Sequence, residues 1–295
     1  MYKRLELHNH TNESDAVFTC KELTDFMVAD QVDAFALTDH NTISGHCKIK
    51  NYLKEHPQPI DFIPGMEYTT YYGHILCLNL TEYVPWENIN RHKPELLFRA
   101  ARKKGALVGV AHPYSFGWPF AQGCRFEMTI TDYSCCDFIE IFNNPEPLHE
   151  VNEKGVKLWE NLVLSGEKLA ATCGMDLHGD STLHGHYSTY IQGEPHGDVC
   201  QELSDAIHNQ CTWVCKGPLL EVHNDGEALT FTIHQTGKPG SPGMITRSPS
   251  APKIGSSPAM SPTRSRWLLL QSMLLLSRCF SRKKPLSKTS YVQAL

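Results

Sequence analysis

The 295-residue chain lacks the sequence motifs of several common enzyme classes. It contains no nucleophile elbow and no glycine-rich phosphate loop, which excludes serine hydrolases and P-loop enzymes. Its apolar stretch from Trp267 to Leu276 is ten residues long, whereas a membrane-spanning helix needs roughly 20. No internal repeat is present. With 41% hydrophobic residues, the chain can bury the substantial core of a large globular domain.

The eleven cysteines lack the spacing of a disulfide framework or a zinc ribbon. Their only close groups are the pair Cys135-Cys136 and the combination of Cys211 with Cys215. The chain begins with Met-Tyr-Lys-Arg and runs directly into a strand pattern, without the features of a signal peptide. We therefore expect reduced thiols and a cytoplasmic protein.

Basic residues are scarce before Gly237. Ten of the 27 Lys and Arg residues follow Gly237, but none of the 32 Asp and Glu residues does, so residues 1–237 carry 17 basic and 32 acidic side chains. A body with this excess of negative charge is a poor general binder of nucleic acid. We therefore expect metal ions and a small-molecule substrate, and no nucleic acid as a stable partner.

Residues 238–295 differ in composition from the rest, and we predict a disordered basic tail after a domain at residues 1–237. Of the 27 residues from Lys238 to Arg264, 15 are Pro, Gly or Ser, which leaves too few apolar groups to offset the entropy of ordering. The apolar stretch at 267–276 is flanked by basic residues, so it could lie on an anionic membrane surface or bind a partner groove. A non-functional extension is the alternative, and the sequence leaves both open.

The first 237 residues alternate between strand-like and helix-like segments. Residues 4–8 alternate like a strand, and Thr19 to Val28 begins with a plausible N-cap and continues with helical spacing. This step recurs about seven times, the order expected for a parallel barrel of the α/β class. The other predicted segments are strands at 34–38, 107–111, 137–142, 172–175 and 188–192, a longer β segment at 62–80, and helices at 44–55, 91–104, 151–169 and 199–209.

Histidines and acidic residues stand in short clusters at the ends of these segments. The clusters are His8-Asn9-His10, Asp15, Asp39-His40, Glu67, His74, His112, Glu140 and Asp176-Leu177-His178. In a (β/α) barrel the loops that leave the C-terminal ends of the strands line one face, so clusters far apart in sequence can converge there. Imidazoles mixed with carboxylates favour Zn, Mn or Fe over Mg or Ca. The sequence therefore predicts a site for two or three divalent transition-metal ions.

Five motifs together resemble the polymerase and histidinol phosphatase (PHP) superfamily. They cover about residues 5 to 180, in the order His8-Asn9-His10 with Asp15, Thr38-Asp39-His40-Asn41-Thr42, Gly65-Met66-Glu67, Ala111-His112-Pro113 and Gly174-Met175-Asp176-Leu177-His178. The stretches from Glu67 to His74 and from Ile139 to Asn144 are similar to the carbaryl-hydrolase-like branch of metallohydrolases. The resemblance implies a distorted, seven-stranded TIM-like barrel that holds up to three metal ions.

The resemblance also implies nine metal ligands in three sets. The first metal would be held by His8, His10, Glu67 and Asp176, the second by Glu67 as a bridge with His74 and His112, and the third by Asp15, His40 and His178. A buried, hydrogen-bonded histidine is the alternative for His74, and a loop or helix cap is the alternative for Asp15.

Five further residues are predicted to act around the metals. We expect a catalytic role in the pocket for Glu140, and contacts with the substrate from Asn143 and Tyr114. His184 lies in a loop-like stretch and is a candidate proton donor, with a plain exposed loop histidine as the alternative. Asp39 is expected to orient the adjacent histidine or its loop and not to bind metal.

The residues and the resemblance lead to one main functional hypothesis. We expect a metal-dependent phosphoesterase that acts on a small phosphorylated metabolite or nucleotide through a metal-bound hydroxide. Hydrolysis of a carboxylic ester or carbamate on the same metals is the alternative within enzymes. A non-catalytic metal-binding module is the alternative from another class, but it would be expected to lack ligands, and none of the nine is missing.

Overall fold

The computed structural model describes residues 1–87, 89–115, 124–143, 150–179, 186–216, 218–224 and 229–234. The predicted tail at 238–295 lies outside these ranges, and so does His184. Within the described ranges, no helix has the length and apolar character needed to cross a membrane.

Among the described residues, nine strands form one mixed sheet in the order β7-β6-β5-β4-β3-β2-β1-β8-β9. The strands of this sheet are β1 (Tyr2–Glu6), β2 (Ala34–Leu37), β3 (Asp61–Thr70), β4 (Gly73–Leu78), β5 (Leu107–Val110), β6 (Phe138–Phe142), β7 (Ala170–Cys173), β8 (Ser188–Gln192) and β9 (Trp213–Cys215). A separate antiparallel hairpin follows, formed by β10 (Leu219–Asn224) and β11 (Leu229–His234). The predicted α/β barrel is confirmed, because the nine-stranded sheet curls into a nearly closed barrel.

Contacts between β1, β7, β8 and β9 bring the two edges of the sheet together. Just beyond β1 and β7, Asn9 and Leu177 form an isolated parallel bridge, and the His10 backbone N–H donates to the Leu177 carbonyl at 3.0 Å. Further along, the Cys173 N–H donates to the Thr189 hydroxyl at 2.9 Å. Backbone contacts beyond the strands bring the end of β1 against the end of β7, and the Thr189 side chain adds a contact between β7 and β8 where the regular ladder is missing.

The sheet is not wholly parallel, which corrects the expectation of uniform βα units. The single β segment predicted at 62–80 is a hairpin, in which β3 and β4 run antiparallel with Thr70 opposite Gly73. Strand β4 also runs antiparallel to β5, and β8 runs antiparallel to β1. The hairpin was not predicted because both of its strands are apolar and the turn residues, Tyr71 and Tyr72, carry no turn signal of their own.

In the part of the chain that the structure describes, five α-helices lie between the strands, close to the predicted positions. They are α1 (Cys20–Ala29), α2 (Gly45–Glu55), α3 (Glu95–Lys103), α4 (Glu150–Ser165) and α5 (Val199–His208). Thr19 caps α1 in a capping box with Glu22, as its position before the helix predicted. Helix α3 begins later than expected, after Pro94, and α4 ends earlier, where Gly166 adopts a φ of 110°.

A cluster of buried apolar residues fills the space that the sheet encloses. It combines Ala34 of β2 with Ala170 of β7, two strands that do not pair with each other. Leu203 and Ile207 of α5 join the same cluster and are fully buried. Helix α5 therefore packs against the barrel interior, and the ends of the strands that carry the histidines are left free to form a site.

Candidate metal centre

The nine predicted ligands converge at one edge of the barrel. They leave β1, β2, β5 and β7 at their C-terminal ends, or lie on β3 and β4. His74 reaches this edge for a different reason from the others. Because β4 runs antiparallel to its neighbours, its first residues lie where the parallel strands end. The reversed strand thus places His74 beside Glu67, which the parallel interpretation could not explain.

The first group of ligand-type atoms belongs to His8, His10, Glu67 and Asp176, and these atoms lie within 4.8 Å of one another. The His10 Nε2 atom is 2.8 Å from Asp176 Oδ1, and the His8 Nε2 atom is 3.3 Å from Glu67 Oε2. Both histidines and the glutamate are fully buried. The parallel bridge between Asn9 and Leu177 is what brings together residues that stand 166 positions apart.

The second group belongs to Glu67, His74 and His112. Glu67 Oε1 lies 2.9 Å from His74 Nδ1 and 3.0 Å from His112 Nε2, while its Oε2 faces the first group. All three residues are buried. The structure therefore places Glu67 between the first and second groups, in the position that a bridging carboxylate would occupy.

The third group belongs to Asp15, His40 and His178, together with His10. Asp15 Oδ1 lies 3.5 Å from His40 Nε2 and 3.3 Å from His178 Nε2. This group is the open side of the site, because the side chains of Asp15 and His178 are 60% and 38% exposed. His10 belongs to two groups, which the sequence assignment did not anticipate.

Two ligand-type atoms in these groups are buried without a hydrogen-bond partner, His8 Nε2 and His10 Nδ1. Glu67 Oε2 is also buried, and it lies 2.9 Å from His40 Nδ1. A buried polar atom without a partner is costly, so proteins rarely leave one in place unless it serves another purpose. Imidazole nitrogens and carboxylate oxygens are ligands of transition-metal ions. The donor set and its unpartnered atoms fit divalent cations.

Electrostatic interactions in the cluster keep its carboxylates ionised. Burial alone would raise the pKa of Glu67, but His8, His74, His112 and His40 outweigh it and hold that pKa well below the usual range. The pKa of Asp176 is also lowered, since His8 and His10 offset the effect of burial. The site therefore offers anionic oxygens to a cation.

Two of the ligand-type residues have backbone angles that are rare outside glycine. His112 has a φ of 25° and Asp176 a φ of 49°. Such conformations are costly for residues with a Cβ, and they persist only where the surrounding structure enforces them. His112 lies two residues after the end of β5 and Asp176 three residues after the end of β7, so both unusual turns occur where the chain leaves the barrel.

Part of the chain is similar in sequence to a known protein. An uncharacterized protein of Methanocaldococcus jannaschii is 28% identical over 151 residues, which span 48% of this chain and 81% of that protein. No family model matches the chain.

Solved structures include a two-domain protein of Bacteroides vulgatus that contains a predicted PHP-like metal-dependent phosphoesterase. It superposes with a TM-score of 0.56 at 17% identity, over 80% of this chain and 76% of that protein. An amidohydrolase of Chromobacterium violaceum aligns more loosely, with a TM-score of 0.46 at 16% identity, over 72% of this chain and 97% of that one. The similarity to the Bacteroides protein shows a shared fold.

Glu140 lies behind the metal-type residues and not in an open pocket. It is only 1% exposed, and its Oε1 accepts from His8 Nδ1 at 2.9 Å. Its Oε2 accepts from the His112 backbone N–H at 3.0 Å and from Asn143 Nδ2 at 3.1 Å. These contacts do not favour the predicted catalytic role for Glu140. They also direct the amide nitrogen of Asn143 to Glu140, and the predicted contact of Asn143 with a substrate stays a prediction.

Other imidazoles of the site are also held by their second nitrogen. His112 Nδ1 donates to the Cys124 carbonyl at 2.9 Å, and His178 Nδ1 donates to the Asp176 carbonyl at 2.7 Å. The hydroxyl of Thr69 hydrogen-bonds His40 Nδ1. Sequence analysis missed Thr69, although its position two residues after Glu67 on the same strand places it on the same face.

The remaining predicted pocket residues have separate outcomes. Tyr114 is half-buried and forms an isolated antiparallel bridge with Arg125, so its predicted contact with a substrate stays a prediction. Tyr114, His112, Glu140 and Asn152 line one narrow crevice. His184, the predicted proton donor, falls outside the described residues.

Proposed function

We propose that this protein is a metal-dependent hydrolase in which the nine predicted ligands hold divalent transition-metal ions. The observation that carries the proposal is the set of three overlapping groups, joined through Glu67 and His10, in which His8 Nε2 and His10 Nδ1 are buried without a hydrogen-bond partner. Bound divalent cations lower the pKa of water and neutralise negative charge that develops on reacting oxygens. The chain itself supplies the ligands, the contacts that orient them, and the buried surroundings of the inner two groups.

The resemblance of the motifs to the PHP superfamily supports the same assignment. Its implied ligand sets, taken residue by residue, coincide with the groups that the fold brings together, apart from the extra membership of His10. The fold-level likeness to the Bacteroides vulgatus protein is consistent with this proposal. We propose membership in that superfamily on these grounds, and leave its carbaryl-hydrolase-like branch as a narrower proposal.

Charge balance favours a phosphate ester as the substrate. The three groups contain the carboxylates of Asp15, Glu67 and Asp176, so one divalent cation in each group would set six positive charges against three negative ones. Counting the nearby Glu140 carboxylate leaves the balance positive. A site with positive charge and low-dielectric walls attracts an anionic substrate more strongly than a neutral ester.

The open side of the site indicates how a substrate reaches the groups. Asp15 and His178 are exposed, whereas Glu67, His8 and His10 have no exposed side-chain surface. A substrate therefore approaches over the third group, and the inner two groups are shielded from bulk water. His178 holds its Nδ1 proton against the Asp176 carbonyl and presents Nε2 to this open side.

A substrate screen tests the proposed reaction. The protein, loaded separately with Zn, Mn and Fe, is assayed against aryl phosphomonoesters, aryl phosphodiesters, aryl carboxylesters and aryl carbamates. We expect turnover of at least one phosphate ester and little turnover of the neutral esters. Turnover confined to carboxylesters or carbamates would replace the phosphoesterase assignment with the second candidate.

Controls separate this activity from contamination and from simple metal binding. Glu67→Gln removes the carboxylate shared by two groups, so it should abolish turnover, whereas replacement of the exposed His56 by Ala should leave it unchanged. Equal rates in wild type and Glu67→Gln would indicate a contaminating enzyme. Tight metal binding without turnover of any ester would favour a non-catalytic metal-binding module.

A further inference from the structure

We propose that Glu140 is a positioning residue that sets the orientation and tautomer of His8 and ties the first group of ligands to the second. This inference rests on the proposed metal centre, since it concerns how the chain prepares His8 and His112 to bind cations. It assigns Glu140 neither a ligand role nor contact with the substrate.

The geometry around Glu140 determines which nitrogen of His8 carries the proton. A carboxylate can only accept, so the 2.9 Å contact from Glu140 Oε1 to His8 Nδ1 requires a proton on Nδ1. In the neutral imidazole the other nitrogen, Nε2, then has a free lone pair. That atom is the one buried without a partner, 3.3 Å from Glu67 Oε2 and 3.4 Å from Asp176 Oδ1. Glu140 therefore holds His8 in the tautomer that a metal ion requires.

The second oxygen of Glu140 supports the other group. It accepts the backbone N–H of His112, a residue whose φ is 25°. One buried carboxylate thus orients a ligand of the first group through its side chain and a ligand of the second through its backbone. Asn143 Nδ2 donates to the same Oε2 atom and holds the carboxylate in place.

Glu140 also makes His8 different from the other histidines held by a second nitrogen. The Nδ1 atoms of His112 and His178 face backbone carbonyls. The Nδ1 atom of His40 meets the Thr69 hydroxyl and lies 2.9 Å from Glu67 Oε2, a carboxylate of the groups themselves. Among the described contacts, His8 alone pairs its second nitrogen with a carboxylate that belongs to none of the three groups. An anionic partner raises the basicity of an imidazole ligand more than a neutral one does. We therefore expect the first group to retain its cation longest during chelation.

Glu140→Gln tests this role because an amide cannot satisfy the same donors. If its oxygen faces His8, its NH2 group meets the backbone N–H of His112, and two donors oppose each other. If its NH2 group faces His8, the proton of the imidazole must move to Nε2, which blocks the atom aimed at the first group. Either orientation damages the site, although the side chain keeps its shape.

The first measurement is metal affinity, by chelator competition with Zn²⁺. We expect Glu140→Gln to weaken the tightest site by about 10 to 100-fold, the usual effect of removing such a supporting carboxylate. Glu95→Gln is the matched control, because Glu95 is also a buried carboxylate, which accepts from Thr131 N at 2.6 Å and from Asp132 N at 3.3 Å outside the three groups. It should leave Zn²⁺ affinity unchanged.

The second measurement is the tautomer of His8 in the Zn²⁺-loaded protein, by two-bond ¹⁵N–¹H NMR correlations of labelled histidine. Wild type should show a proton on Nδ1 and none on Nε2. Glu140→Gln should either move that proton or lose the Zn²⁺-bound signal. Wild-type affinity together with a wild-type tautomer in Glu140→Gln would overturn the proposal.

Two further outcomes are distinguishable. If the wild-type protein binds no divalent cation, the proposed metal centre is refuted, and the role of Glu140 is refuted with it. If the wild-type protein binds Zn²⁺ and Glu140→Gln binds it with the same affinity and the same His8 tautomer, only the role of Glu140 is refuted. If Glu140→Gln does not fold, Glu140→Asp replaces it, since Asp keeps the charge but withdraws both oxygens by one methylene. We then expect weaker binding at the tightest site, and unchanged binding there would overturn the proposal.

Discussion

The carboxylate of Asp39 is bonded twice to Thr11, accepting from its backbone N–H at 2.6 Å and from its hydroxyl at 2.7 Å. It also accepts from the Ser14 hydroxyl at 2.8 Å. Asp39 thus holds the loop that carries Asp15 of the third group, and it makes these bonds while almost fully buried. The sequence predicted an orienting role for Asp39, and the loop it orients is one that departs from β1, not its own.

Replacement of Asp39 should therefore affect the third group more than the other two. We expect Asp39→Ala to cost about 1 to 3 kcal/mol of stability, because it leaves buried donors unsatisfied. It should also lower Zn²⁺ content by the contribution of the third group. Asp39→Asn should have a smaller effect on stability and Zn²⁺ content. The hydroxyls of Thr11 and Ser14 can rotate, so each can either donate to the amide oxygen or accept from the amide nitrogen. Equal metal content in Asp39→Ala and wild type, measured by elemental analysis, would contradict the prediction.

Local patterns were sufficient for much of the fold, whereas the nine ligand assignments came from the resemblance to the PHP superfamily. Strand β8 was predicted with both of its ends correct, at Ser188 and Gln192, because its alternation and its flanking polar residues are local features. The ligand clusters were predicted from their position after strands. The contacts of Glu140 could not be predicted, since its partner His8 lies 132 residues away and is brought near only by closure of the barrel. The location of His74 depended on the reversal of β4, which the apolar pattern did not reveal.

His10 and His74 should differ in how many cations their replacement removes. His10 belongs to the first and third groups, whereas His74 belongs only to the second. We expect His10→Ala to lose metal from two groups and to lose activity, while His74→Ala loses metal from one. His10 Nδ1 has no hydrogen-bond partner, so its removal breaks few internal bonds and much of the fold should persist. Elemental analysis and circular dichroism measure both effects, and full metal content with normal activity in His10→Ala would refute the assignment.

As the pH rises from 6.5 to 9, the stability of the metal-free protein should fall, whereas the stabilisation by bound metal should grow. Burial alone would lower the pKa of His112, but the hydrogen bond and charge of Glu67 raise it to about 9. Because this value exceeds that of the unfolded chain, near 6.5, the protonated His112 stabilises the metal-free fold fully below about pH 6.5. That contribution is lost as the pH rises through 9. The pKa of His10, lowered to about 4 chiefly by burial, acts below this window.

Cations require deprotonated ligands, so their stabilising effect grows over the same range. The difference in Tm between Zn²⁺-loaded and EDTA-treated protein should therefore widen from pH 6.5 to pH 9. Calorimetry of both forms measures it. A constant difference, or a metal-free form that becomes more stable towards pH 9, would contradict this interpretation of His112.

Gly174 should be sensitive to the addition of a single methyl group, because His8 and Glu140 pack directly against it. A Cβ at this position would lie 2.4 Å from His8 Cβ, 2.8 Å from the His8 backbone nitrogen and 3.1 Å from Glu140 Oε1. Backbone atoms cannot move aside cheaply, so Gly174→Ala should cost about 1 to 3 kcal/mol and displace His8 from the first group. Gly105→Ala is the control, since Gly105 has a φ of 84° but a Cβ added there would meet no atom within 4 Å. Gly105→Ala should lower Tm through backbone strain but leave Zn²⁺ affinity unchanged. Gly174→Ala should lower both Tm and Zn²⁺ affinity. A lower Tm with unchanged Zn²⁺ affinity in Gly174→Ala would show that His8 tolerates the shift.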